Sequence, residues 1–102
     1  MPDPRLESLA EIICGYSLDV QPGELIRITG PPTSHEFIAA VTRHVTRRGG
    51  MPMQRASFPS VEALMLSRGS DEQLTTVTEI DRLDAELPKK TLTIWADENT
   101  AT

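Results

Sequence analysis

Three short β-rich runs, LIRITG (25–30), MPMQRASF (51–58) and TLTIWA (91–96), alternate along this chain with stretches of helical periodicity. That alternation constrains the fold more than any other feature. Strands separated by helices of this length pair in parallel, through right-handed crossovers. The expected fold is α/β: a small, open, mainly parallel three-stranded sheet with flanking helices, in the manner of Rossmann-like or flavodoxin-like βαβ units. Residues 1–102 form a single domain on this reading.

The helical stretches carry their own start and stop signals. From Arg5 to about Tyr16, Leu6, Leu9, Ile13 and Tyr16 fall on one stripe, with Asp3 and Pro4 as cap and first-turn proline. A second helix is expected from Thr33, where Thr33 and Glu36 match a capping box. Phe37, Ile38, Val41 and Val45 form its inner stripe, and Gly49-Gly50 end it. PSVEALMLSRG reads as a short helix with Val61, Leu64 and Met65 inward. Ser70 and Gln73 cap a helix from Asp71, and VTEIDRLDAEL runs helical until Leu87-Pro88. Pro52 and the polar residues around it suit MPMQRASF to a sheet edge.

Composition narrows the function classes. A chain of 102 residues supports one core, burying roughly two thirds of its unfolded surface without metals or disulfides. The lone Cys14 can form no internal disulfide, and no second thiol completes a zinc pattern. A reducing, cytoplasmic setting is expected, with no signal peptide in MPDPRLESLAE and no apolar run of the ~20 residues that cross a bilayer. Fifteen acids against ten bases give a formal charge of −5, which opposes nucleic acid and anionic lipid as partners. Arg43, Arg47 and Arg48 cluster in TRHVTRRGG, where cations complement the dipole of a helix's last turn.

Candidate chemistry is sparse. Strand, GPP turn and helix over GELIRITGPPTSHEF have the outline of a phosphate loop, yet the turn itself offers only Gly30, and Pro31 and Pro32 each remove an N–H donor. The expectation is a connecting turn. His35 and His44 are nine residues apart on one predicted helix, half a turn out of phase at about 3.6 residues per turn, so they share no metal. Cys14 lies off the apolar stripe and has no local cation to activate it. Asp97 and Glu98 follow the last strand, where open parallel sheets gather ligands. Without further oxygen, His or Cys donors they read as a polar turn leading to a cap at Asn99 or Thr100. No catalytic, cofactor-binding or metal residue is therefore assigned.

Taken together, RLESLAEIICGYSLDVQPGELIRITGP, FIAAVTRHVTRRGGMP, SDEQL, IDRLDAE and TIWADENT resemble, in order and spacing, the N-terminal domain of the aminopeptidase T-like metallo-aminopeptidases, the thermophile-type leucyl aminopeptidases. LPKK before the last strand departs from the family's small, apolar lead-in. The resemblance implies a parent enzyme that removes N-terminal residues from peptides with two divalent ions, of zinc or cobalt type, and works as a dimer. It also implies that the metal ligands lie in a larger C-terminal domain, the absent partner of this one, so no cofactor is expected in this chain. Residue alternation places Ile26 and Ile28 on one face of the first strand and Leu25, Arg27 and Thr29 on the other; further chain would cover what these elements leave open. The rival reading is a stand-alone α/β module binding a small anion or nucleotide near Thr33 or Asp97.

Overall fold

Strand β1 (Leu25–Gly30) is the centre of the molecule, and the other elements are placed by what they do to its two faces. The structure, a computed structural model, describes residues 3–95. Helix α1 (Pro4–Ile12) continues into a wide π-helical turn, Ile13–Ser17, before β1. Helix α2 (His35–Arg47) leads to β2 (Met51–Ala56); α3 (Pro59–Arg68), α4 (Asp71–Thr75) and α5 (Glu79–Glu86) then lead to β3 (Lys90–Thr93). The sheet order is β2-β1-β3, and both pairings are parallel, with Leu25 opposite Met51 and Ile26 opposite Lys90. The α/β architecture read from the alternation is the one observed. Strand β2 is an edge, as Pro52 suggested, and β3 forms the opposite edge.

The core lies between β1 and the α1–α2 layer. Ile26 and Ile28 are fully buried there with Ala10, Cys14, Val20, Ala40, Val41 and Val45, while Leu18, Phe37, Ile38, Leu92 and Ile94 pack around them. Full burial of an Ile or Val side chain contributes about 1.5–3 kcal/mol by area transfer, so these few residues supply most of the cohesion. Helix α2 ends in a Schellman arrangement: the Gly50 N–H donates to Val45 O at 2.9 Å and the Gly49 N–H to Thr46 O at 3.0 Å. Gly49 adopts φ +84°, the left-handed conformation that this closure needs.

Four expectations are corrected. The buried stripe of α1 is Ala10 and Cys14, with Leu6 half-buried, whereas Leu9, Ile12 and Tyr16 are exposed, Tyr16 at 86%. Small side chains let α1 approach α2, close enough for the Cys14 thiol to sit 3.7 Å from Val41 O; bulk alone pointed to the wrong face. Helix α2 begins at His35 after a 3₁₀ turn, Pro32–Ser34, and its start carries no side-chain cap, so Thr33 and Glu36 form no capping box. The Pro31-Pro32 pair imposes extended and then tight geometry that delays the helix. Val61, Leu64 and Met65 are not inward: they are about half exposed. The last strand is also shorter than expected, ending at Thr93. The Ser70–Gln73 capping box is formed, and so is one at Thr78–Asp81 that gives α5 its start.

Candidate functional site

The carboxyl edge of the sheet is where an open parallel fold gathers ligands. Here β1 gives way to Pro31, the 3₁₀ turn and α2, beside an open cleft of about 480 Å³ lined by Leu6, Thr33, Ser34, His35, Glu36 and Phe37. A Cβ on Gly30 would come within 3.0 Å of Ile94 Cβ and 3.2 Å of Ile38 Cδ1. Gly30 therefore serves close packing of β3 and α2, and its missing side chain leaves no room for a phosphate. The cleft lining contains the carboxylate of Glu36 and neither Lys nor Arg, a poor match for an anion. Thr33 and His35 are exposed here. Asp97 and Glu98 lie outside the described residues.

The remaining titratable groups of this layer fasten helices. Glu7 on α1 accepts a hydrogen bond from Arg43 on α2, and His44 Nε2 lies 3.3 Å from its other oxygen, misaligned for hydrogen bonding. Arg43 foremost, and His44 more weakly, hold the Glu7 carboxyl below its usual range against a partial opposing effect of desolvation. His44 is half-buried, and His35 faces solvent. Arg48 Nε donates to Val20 O at 3.2 Å, and Arg48 Nη2 is 3.7 Å from Asp19 Oδ1. Two members of the basic cluster thus close α2 against the preceding layer. Burial pushes the Cys14 thiol up, outweighing the opposite pull of Arg48, which makes it an inert core residue.

A second cleft, of about 160 Å³, opens on the far face between the sheet and α5, lined by Leu25, Met53, Arg55, Ile80, Leu83, Asp84 and Leu87. Strand alternation delivers Arg27 to this face. Arg27 Nη1 donates to Asp84 Oδ2 at 3.1 Å and to Asp84 O at 3.0 Å, while Arg55 Nε and Nη2 donate to Asp84 Oδ1 at 3.1 and 2.9 Å. One carboxylate thus clasps two strands to α5. Sequence reasoning missed this clasp, because Asp84 is 57 positions from Arg27 and nothing local marks the pairing. The arrangement fixes an element in place; with both guanidiniums engaged by the same carboxylate, it offers neither nucleophile nor base.

By fold, then, the protein is a three-stranded parallel α/β domain in which Glu7 ties helix to helix and Asp84 ties helix to sheet. The sequence profile of the thermophilic metalloproteases (M29) matches residues 2–102, and the chain belongs to that aminopeptidase T-like family. Among solved structures, wild-type AmpT from Thermus thermophilus superposes with a TM-score of 0.61 at 20% sequence identity, over 72% of this chain. The aligned part is 19% of the AmpT chain. No curated protein sequence matches. The metal that the family name implies needs several donors converging within coordination distance. Among the described residues no three His, Cys, Asp or Glu side chains come together in that way, so these residues do not fit a metal, and no catalytic step is derived through one.

Proposed function

We propose that this chain is the N-terminal supporting domain of a metal-dependent aminopeptidase, with the metal ligands carried by a larger catalytic domain. The observation that supports this most is the family match across residues 2–102 in a chain that spans 19% of AmpT. The geometry agrees with a supporting role: Glu7, Asp84 and Arg48 spend their polar capacity on fastening elements, and Cys14 is sealed in the core. In the whole enzyme the domain flanks the catalytic cavity and assists assembly as a dimer in the cytoplasm, with two divalent ions of zinc or cobalt type acting in the catalytic domain on the N-terminal residues of peptides. The rival module reading, an anion or nucleotide held at Thr33 or Asp97, draws no support from a cleft lined by Glu36 without a cation.

The test is activity. The 102-residue chain, supplied with Zn²⁺ or Co²⁺ and an aminoacyl chromogenic substrate, is expected to give no turnover, whereas the longer polypeptide gives metal-dependent release. Turnover by the 102-residue chain alone would overturn the proposal.

A further inference from the structure

Between β2 and β3 the chain makes an excursion, residues 59–87, that buries almost nothing. Every residue in it except Gly69 and Asp84 is exposed, including Leu66 at 73%, Val77 at 73% and Ile80 at 76%. Its helices are 10, 5 and 8 residues long, below the ~12–15 at which an isolated helix is even marginally stable. Apolar helices ordered without burial have little to offset their lost conformational entropy. The molecule is correspondingly spread out, with a radius of gyration of 15.6 Å against about 13 Å for a compact chain of this size. The sheet's second face is open as well: Leu25 and Met53 line the far cleft, which α5 covers only in part, although parallel sheets are normally covered on both faces.

Charge distinguishes the occupants. Residues 59–87 hold seven acidic residues and two basic ones, a net −5 that equals the formal charge of the whole chain. Glu62, Asp71, Glu72 and Asp81 pair with no Lys or Arg among the described residues. A second copy laid symmetrically on this face would bring the same carboxylates against one another. A surface with an apolar centre and a cationic rim complements it.

We propose that residues 59–87 are a docking arm, and that its occupant is the catalytic part of the same metalloprotease polypeptide, presenting apolar residues ringed by Lys and Arg. The inference rests on the function proposed above, and the length of the AmpT chain beyond the 19% aligned is what makes such an occupant available. Binding covers the arm's apolar residues and the second face of the sheet in one step.

The experiment compares the 102-residue chain with the longer polypeptide, each carrying Leu66→Cys or Val77→Cys, in native reaction with a maleimide; buried Cys14 stays silent. Both cysteines are expected to react freely in the short chain and at least about 100-fold more slowly in the long one, as burial behind a stable contact requires. Raising NaCl from about 50 to about 500 mM should speed labelling of the long chain, because it screens the rim charges. Equal rates in the two chains would overturn the proposal. So would protection lost when a dimer is diluted, which identifies a second copy as occupant, or protection indifferent to salt, which removes the cationic rim. Hydrogen exchange over residues 59–87 of the unsubstituted proteins makes the same comparison without any variant. An active long chain with freely labelled cysteines refutes the arm alone, whereas a long chain with no metal-dependent peptidase activity refutes the functional reading.

Discussion

Asp84 is the test of how α5 is held to the sheet. Its two arginine partners are unequal: Arg27 and Asp84 are each 26% exposed at 3.1 Å, whereas Arg55 is 49% exposed at 2.9 Å. At about 3 Å and an effective dielectric constant of about 20, each pair has a gross attraction on the order of 5 kcal/mol. Desolvation and side-chain ordering offset most of it, and the offset leaves more for Arg27, which also bonds the Asp84 carbonyl. We expect a coupling of about 1–2 kcal/mol for Arg27 with Asp84, and at most about 1 kcal/mol for Arg55, the range of exposed pairs. Double-mutant cycles built from Asp84→Ala, Arg27→Met and Arg55→Met, read by urea unfolding, measure both. With a slope of roughly 1 kcal/mol per molar urea, Asp84→Ala should lower the midpoint by about 1–2 M. A coupling for Arg55 equal to or larger than that for Arg27, or two couplings near zero, would refute the clasp as the tether of α5.

Two further outcomes follow from the core layer. Cys14 should react with an aromatic disulfide reagent only on unfolding, at least about 100-fold more slowly in the native chain, since burial raises its pKa and hides the sulfur; stoichiometric native labelling would contradict its placement. Glu7 is held below its usual value of 4.5 by Arg43. A depressed carboxylate stabilises the fold above its unfolded pKa, and that stabilisation is lost as pH falls through the folded value. Glu7→Gln should therefore be less stable than the parent at pH 7 and show a flatter loss of stability below 4.5, measured by thermal melts across that window; an unchanged acid profile would contradict it.

What was legible in the sequence is what local chemistry writes. The Ile26–Ile28 alternation, the Gly49-Gly50 stop and the Ser70–Gln73 box each involve residues a few positions apart, and each appears as read. Features settled by distant packing were not legible. Ala10 and Cys14 are buried, and Leu9 and Tyr16 left out, because α2 approaches α1 closely, which no periodicity in α1 announces. Thr33 and Glu36 have the letters of a capping box, but the proline pair ahead of them shifts the helix start to His35. The stripe expected to be buried in α3 is not: Val61, Leu64 and Met65 stay about half exposed. The cleft beside residues 33–37 was not foreseen; the loss of two N–H donors at Pro31 and Pro32 was visible. The reason Gly30 is needed, the contact with Ile94 and Ile38, was not.

A supporting domain holds no metal of its own. Equilibrium dialysis of the complete 102-residue chain against micromolar Zn²⁺ or Co²⁺, with bound metal quantified per chain, includes Asp97 and Glu98 and so tests it directly. We expect no stoichiometric binding by this chain and close to two ions per chain in the longer polypeptide; one or two tightly held ions on the 102-residue chain itself would contradict the assignment of this domain to support.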